Sequence, residues 1–486
     1  MIKIIIYLES VIYQQDVAIL LSFLKGKGVE CRVVFNEIEK GNIFDTICDY
    51  DPMYIILATE LRGHGGSGEI KKILISGKEI KEKTRKPIIL FGRHATIAGK
   101  IFLEKFPYID FLVVGDPEYP IADLLLKGIK EEVPGLVYFD NEGNVRENPV
   151  GTQTDLGSLP IPDFDEFFNI KGADRLGFFL NISRGCSYSC TFCQNSKMAR
   201  ITETKGVSPR FFPVGWVIES ILYLKKKYGP IANFYFTDTN FTISKEYLRK
   251  LMKSYKDKVN VPFVCGTRAN QVDEEVAQLL KEGNCSKVNI GVEAGDETVR
   301  NTLLKKALPD KHIIRCVSAL HKYKIRIAAG IILGLPGETL DSAMESLKKA
   351  RAFGFDIIQV ALFQPYVGTP LSEFAIENGF LSDDFTLWEG SASKILGKSP
   401  LNMLEVRKIE NLQLLSPLFR VFPNKTIFSI ICSLPNNRFF LLVYHLPRVI
   451  RSVKYEYARD PFIKKMKCFF LEVFSIIYKK ERGYNR

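Results

Sequence analysis

Three cysteines, Cys186, Cys190 and Cys193, stand at C-x3-C-x2-C spacing in the stretch Ser183-Arg184-Gly185-Cys186-Ser187-Tyr188-Ser189-Cys190-Thr191-Phe192-Cys193-Gln194. Thiolates are soft ligands, and three on one loop suit a metal centre. Three readings compete. A structural zinc site wants four ligands, usually in paired C-x2-C units. Only one such pair occurs here, with Cys186 as an extra ligand. A four-cysteine electron-transfer cluster needs a fourth cysteine nearby, whereas Cys265, Cys285 and Cys316 are isolated along the chain and read as small buried hydrophobes. A cubane iron–sulfur cluster gripped by three cysteines leaves one iron open, and an open iron can bind a small molecule directly.

The loop has to be held by regular elements, and a β/α rhythm surrounds it. Strand Phe178–Ser183 runs straight into the cysteines. Helix Pro213–Tyr228 then alternates with strand Asn233–Thr237, helix Lys245–Lys256 with strand Phe263–Gly266, and helix Glu274–Glu282 with strand Lys287–Gly291. Helix Asp310–Tyr323 precedes strand Arg326–Leu333, and helix Leu340–Phe353 precedes strand Ile357–Phe363. Right-handed crossovers would curl these repeats into a partial (β/α)6 barrel of the TIM type, with its chemistry at the strand C-termini. Asp238, Arg268, Glu293 and the turn Gly334-Leu335-Pro336-Gly337-Glu338-Thr339 all fall at such ends.

Ahead of this core, short apolar runs alternate with helical patterns. Strands are expected at Ile2–Leu8, Glu30–Phe35, Tyr54–Ala58, Pro87–Phe91 and Phe111–Val114, and helices at Asp16–Lys25, Gly68–Lys83 and Ala95–Phe106. Continuous apolar strands between helices imply a doubly wound parallel sheet, which binds ligands at its carboxyl edge. The loops there are glycine-rich: Arg62–Gly68, Gly92-Arg93-His94-Ala95-Thr96 and Gly115-Asp116-Pro117-Glu118. His64 lacks the flanking Asp and Gly of a cobalt-ligating Asp-x-His-x-x-Gly loop and follows the wrong strand. The expected division is 1–135 doubly wound domain, 136–175 linker, 176–385 core and 386–486 mainly helical C-terminal region.

Composition sets the outer bounds. The 486 residues call for two or three domains. Scattered cysteines fit a reducing cytoplasm rather than a disulfide scaffold. The first apolar run is too short for a signal peptide, and no run reaches the roughly 18 apolar residues of a membrane span. The net charge of +12 is concentrated at the end, where residues 420–486 carry fourteen Lys and Arg against four Asp and Glu. Apolar segments Ile427–Leu434, Phe439–Tyr444 and Cys468–Tyr478 are interleaved with these cations. Two readings stand for this region: contact with an anionic membrane surface, or packing on the barrel with a solvated basic face. Nucleic-acid binding has no recognised module to support it.

The cysteine stretch resembles the cluster motif of the radical S-adenosylmethionine (SAM) superfamily. That resemblance implies a [4Fe–4S] cluster on Cys186, Cys190 and Cys193, and SAM chelating the open iron. It also implies an electron donor such as flavodoxin or ferredoxin, and reductive SAM cleavage to a 5′-deoxyadenosyl radical. Phe236-Thr237-Asp238-Thr239-Asn240-Phe241-Thr242 resembles the Asp-Asp-Asn-Phe-Thr strand end of cobalamin-type members, with Thr239 in place of the second acid. Asn289-Ile290-Gly291-Val292-Glu293-Ala294-Gly295 resembles their Gly-x-Glu-Ser-Gly, with Ala294 for Ser. Gly330 to Thr339 resembles their adenine-side strand and turn, and Pro365–Leu371 the stretch that closes the core. The resemblance assigns Asp238, Arg268, Glu293, Ile332 and Gly334 to SAM. The N-terminal loops resemble the Gly-Gly-x-His-x-Thr and Gly-Glu-Gly-Glu motifs of the cobalamin-binding class, and assign Gly92, His94 and Gly115 to cobalamin. The implied activity is cobalamin-dependent C-methylation of a small-molecule substrate, for which the apolar tail is compatible with a hydrophobic one. Radical cyclisation or rearrangement without cobalamin is the alternative, followed by a non-catalytic cluster or cobalamin sensor. No substrate and no catalytic side chain is singled out.

Overall fold

The computed structural model describes residues 2–446 apart from 10–14, 37–42, 60–67, 169–177, 203–208, 230, 367, 383–397 and 438. Lys3–Leu8 (β1) is buried from Ile4 onward, and its continuous apolar run suits a strand covered on both faces. With Glu30–Phe35 (β2), Tyr54–Ala58 (β3), Ile88–Phe91 (β4) and Phe111–Val113 (β5) it forms a parallel sheet in the order β2-β1-β3-β4-β5. Strand order reverses between β1 and β3, so the ligand edge of this doubly wound sheet lies above these strands' carboxyl ends.

Two expectations need correcting here. The segment from 136, expected as linker, begins with a hairpin of Leu136–Phe139 (β6) and Val145–Glu147 (β7) that extends the same sheet antiparallel beyond β5. The backbone of Gly135 makes the junction possible: its φ is +67, and a Cβ there would lie 2.5 Å from the Val114 carbonyl oxygen. The single helix expected over Ala95–Phe106 is two, Arg93–Ala98 and Lys100–Lys105. Gly99, at φ 52 and ψ −134, breaks it in a conformation that L-residues avoid.

In the core, Phe178–Leu180 (β8), Phe234–Phe236 (β11), Phe263–Thr267 (β12), Cys285–Glu293 (β13), Arg326–Leu333 (β14) and Ile357–Leu362 (β15) make an all-parallel sheet in chain order, open between β8 and β15. Its helices start on good caps. Ser244 accepts from the Tyr247 amide, Asp273 from Val276, and Thr339 and Ser342 form a reciprocal capping box. The run expected as one strand over Phe178–Ser183 divides. After Leu180 the chain leaves the sheet, and Ser183–Arg184 (β9) pairs antiparallel with Arg210–Phe211 (β10). At the break, Gln15 of the N-terminal domain donates from Nε2 to the Asn181 carbonyl at 3.1 Å and accepts from the Asn181 amide.

Among its described residues the C-terminal region is helical as expected, with helices Val406–Val421 and Lys425–Cys432. No helix among the described residues is long and apolar enough to cross a membrane. His64, Trp388, Cys468–Tyr478 and the basic residues from Arg448 onward lie outside the described residues.

The carboxyl end of β13 is seated by Gly295, whose amide donates to Ser346 Oγ at 2.7 Å. A Cβ at 295 would lie 2.0 Å from the Ser346 carbonyl oxygen on helix Leu340–Ala352, and that backbone cannot yield cheaply. Gly295→Ala is expected to cost about 1–3 kcal/mol of stability, read as a lower urea midpoint with an unchanged slope. An unchanged midpoint would refute this account.

Candidate active site

The cysteine loop is fastened at its base. The Asp238 carboxylate, just past β11, accepts from the Ile182 amide at 3.0 Å and from Ser183 Oγ at 2.6 Å. Thr239 Oγ1 donates to the Gly185 carbonyl at 3.0 Å, and Gly185 itself turns at φ 99. Between the second and third cysteines, the Thr191 amide donates to Leu304 O at 3.1 Å and the Leu371 amide donates to Thr191 O at 3.0 Å. The stretch Pro365–Leu371 thus closes directly onto the loop. Asp238, assigned by resemblance to SAM, spends much of its acceptor capacity holding the loop.

The Cys190 and Cys186 thiols lie near enough to Cys193 to act on its ionisation. Burial pushes the Cys193 thiol up, and the facing Cys190 and Cys186 add to the shift against a backbone hydrogen bond from Asn195. Cys190 is 6% exposed. Arg268, at the end of β12, places Nη1 3.3 Å from Cys190 Sγ, and its guanidinium lies 3.7 Å from the centroid of the Tyr188 ring. Toward a metal-bound cysteine a guanidinium would be a charge-assisted donor, and hydrogen bonds to cluster sulfurs tune the cluster's potential. Among the described residues no three His, Cys, Asp or Glu side chains are spaced to share a single ion. The residues that would hold a cluster are the three cysteines of this one loop, with the Arg268 guanidinium on Cys190.

Glu293 ends β13 at φ 72, beside a register shift. Positive φ at a non-glycine residue stores strain that surrounding structure must sustain. Its carboxylate folds back over Gly291, where a Cβ would lie 2.1 Å from Glu293 Oε1, and pairs with Lys306 Nζ at 3.2 Å. Lys306 is buried, with its ammonium 5.7 Å from the centroid of the Phe192 ring in the cysteine loop. Ile332 packs in the same small apolar cluster as Phe192 and Leu335. Gly334 turns at φ 73 and donates its amide to Glu338, which also accepts from Leu335 at 3.2 Å. Asp238, Arg268, Glu293, Ile332 and Gly334 therefore all sit at strand carboxyl ends around the cysteine loop. Carboxylates, cations and bare backbone together are what a zwitterion bearing a diol and an adenine requires.

The N-terminal edge meets the loop from the other side. His94 Nδ1 lies 3.4 Å from the Thr59 carbonyl oxygen and its Nε2 3.4 Å from Gln194 Nε2, next to Cys193. Burial pulls the His94 imidazole down to about 4, so the ring is neutral at pH 7. Thr96 Oγ1 donates to Gly92 O at 2.9 Å and accepts from the Gly115 amide at 3.1 Å. A cavity of about 530 Å³ opens here, with Gly92, Arg93 and Gly115 on one side and Asn195, Met198 and Thr202 on the other.

Sequence reasoning did not find Lys306, Tyr188, Tyr366 or the partners of Arg184. Burial and the facing Cys193 push the Tyr366 phenol up to about 12. Arg184 is 5% exposed and pairs with Asp16 at 3.1 Å, Asp116 at 3.2 Å and Glu118 at 2.6 Å. Its place two residues before Cys186 was the available signal.

A family model described as the radical SAM superfamily matches residues 180–350. Over these residues the core is similar to radical SAM domains. An uncharacterized methyltransferase of Pyrococcus horikoshii is 30% identical over 302 residues, covering 60% of this chain and 64% of that one. Cytidylyl-2-hydroxyethylphosphonate methyltransferase of Streptomyces wedmorensis is 25% identical over 343 residues, covering 61% and 62%. The chain spans under two thirds of the length of both relatives. Among solved structures, the cobalamin-dependent SAM radical enzyme OxsB, with aqua-cobalamin and SAM bound, superposes with a TM-score of 0.68. That match covers 98% of this chain and 75% of OxsB at 18% identity, and the likeness concerns the fold.

Glu338 supplies a pH test of the Gly334 turn. Burial pushes its carboxyl up to about 7, against the two backbone bonds that lower it. A raised folded-state pKa gives stability that is complete below the unfolded value near 4.5 and is lost as pH rises through about 7. Glu338→Gln removes this dependence. The stability gap between wild type and E338Q should change by roughly 3 kcal/mol from pH 5 to pH 8, read from urea unfolding. A constant gap would show that Glu338 is not the titrating group.

Proposed function

We propose that this chain is a radical SAM enzyme that uses a [4Fe–4S] cluster, SAM and a cobalamin to methylate a carbon of a small-molecule substrate. The loop of Cys186, Cys190 and Cys193, fastened by Asp238 and met by Arg268 at Cys190, carries this reading. When bound, the cluster supplies the electron that cleaves SAM to a 5′-deoxyadenosyl radical, and the cobalamin relays a methyl group from a second SAM to the substrate radical. The protein's own residues do the holding. Arg268 would offset the charge of a cluster-bound Cys190, and Glu293, paired with Lys306, would receive the polar end of SAM. Gly334 and Ile332 offer backbone and an apolar wall to its adenine.

The cobalamin half rests on the N-terminal cleft. Gly92 at φ 118 and Gly115 at φ 95 leave bare backbone at the sheet's carboxyl edge. Gln153 Oε1, on the cavity wall, is buried without a hydrogen-bond partner among the described residues, and so offers an acceptor to a ligand amide. The electron donor and the substrate are external partners of unknown identity.

The test is anaerobic reconstitution of the full chain. We expect about four iron and four sulfide per chain, 5′-deoxyadenosine released from SAM on reduction, and its loss to background in Cys190→Ala with folding intact. Bound zinc without iron would sink the cluster reading. Hydroxocobalamin is expected to bind in a visible-absorbance titration. Absence of binding would remove methyl transfer and leave cobalamin-free radical chemistry.

We also infer that the C-terminal region meets an anionic bilayer surface. Val421, Phe422, Ile430, Leu434 and Phe439 are each at least half exposed there. They belong to the region whose cations outnumber its acids fourteen to four, which complements anionic headgroups. The chain should co-sediment with phosphatidylglycerol vesicles and not with phosphatidylcholine ones, and Ile430→Asp should reduce the bound fraction. Equal behaviour toward both lipids, or none, would favour packing within the protein.

A further inference from the structure

The short ladder that leads into the cysteine loop carries a built-in repulsion. On β9 and β10, Arg184 and Arg210 are direct cross-strand partners. Like charges in that register drive strands apart. The ladder is only four residues in all, with Ser183–Phe211 as its other pair, and Asp238 holds its Ser183 end while leaving the arginine pair untouched. What lies against both guanidiniums is Asp116: its Oδ1 is 3.2 Å from Arg184 Nη1, and its Oδ2 is 2.8 Å from Arg210 Nη1. Glu118 and Asp16 complete the shell of Arg184. All three carboxylates belong to the doubly wound domain, and both arginines belong to the core.

We propose that the Gly115–Glu118 loop is the positioning device of the cysteine loop: Asp116 neutralises the Arg184–Arg210 repulsion and so permits the ladder on which Cys186, Cys190 and Cys193 hang. Two features give the device its reach. Gly185, at φ 99, is the joint between Arg184 and Cys186, so a displaced ladder displaces the first thiol. On the other side, Gly115 donates to Thr96 and lines the cleft, and the Asp116 carboxylate also accepts from the Thr154 amide on the cleft's wall at 3.2 Å. A ligand pressing on Gly115 therefore acts on the same carboxylate that holds the ladder. These residues position the loop and are not assigned any contact with SAM or substrate. The docking itself does not depend on the functional reading above. Only its consequence, control of a cluster, rests on that reading.

The experiment is a charge rescue followed by hydrogen exchange on the full chain without cluster or corrinoid. Asp116→Asn removes the one carboxylate that the two arginines share, and exchange across residues 182–190 should quicken about tenfold. Adding Arg210→Met removes the repulsion, and most of the protection should return although the Asp116 carboxylate is still missing. A merely structural Asp116 would give a double variant no better than D116N, and that result overturns the proposal, as does unchanged exchange in D116N. Should D116N not fold, Glu118→Gln thins the acidic shell while keeping the bridge. Quicker exchange at 182–190, relieved by Arg210→Met, then supports the device, and unchanged exchange overturns it. Because neither cofactor is present, failure of the cluster or cobalamin reading cannot mimic these outcomes. In the reconstituted chain, cluster loss to a chelator should follow the same order, slowest in wild type and fastest in D116N.

Discussion

One carboxylate governs the geometry of the site. The Asp238 side chain takes the Ile182 amide and the Ser183 hydroxyl at the point where the first core strand gives out. Without that acceptor, two polar groups would be buried where the chain turns away from the sheet, at a cost of roughly 1–3 kcal/mol each. The cysteine loop begins there because a carboxylate at the end of the neighbouring strand takes over from the sheet as hydrogen-bond partner. Everything beyond, the glycine joint at 185, the stitching of Thr191 and the approach of Arg268 to Cys190, is built outward from this anchor.

The β/α order of both domains was legible because its signals are local. Runs such as Lys-Ile-Ile-Ile-Tyr-Leu are apolar on both faces, which only a covered parallel strand explains, and helices such as Glu274–Glu282 begin on a side-chain cap. Boundaries failed where a single backbone position or a distant partner decides. Gly99 splits a helix whose periodicity runs on across it. Asn181 leaves the sheet because Gln15, 166 residues away, occupies its backbone. The hairpin after residue 135 carried turn residues in its sequence, but nothing local says which sheet it joins.

The site was legible to a similar depth. Three cysteines at fixed spacing announce themselves, and Asp238, Arg268 and Glu293 were found because strand ends are where this architecture keeps its chemistry. Their partnerships were not readable. The Lys306–Glu293 pair closes between a strand end and a turn in which Lys305 and Ala307 both take positive φ, a conformation with no sequence signature in those residues. The acidic loop at Gly115 resembled a ligand-binding motif, yet its acids face two arginines of the other domain.

The Gln15–Asn181 contact has a wider meaning. A side-chain amide there stands in for a missing strand, offering one donor and one acceptor to a backbone that would otherwise be an unpaired sheet edge. Together with the three carboxylates around Arg184, it means that the domains cannot part without stranding backbone groups and ions on both faces. Removing one partner from a buried ion pair costs about 3–5 kcal/mol, a large share of what holds an ordinary domain folded. The two domains are thus two architectures but one thermodynamic unit. A chain cut between them would lose more than a tether, and recombining either half with a foreign partner would require carrying across the opposing surface as well.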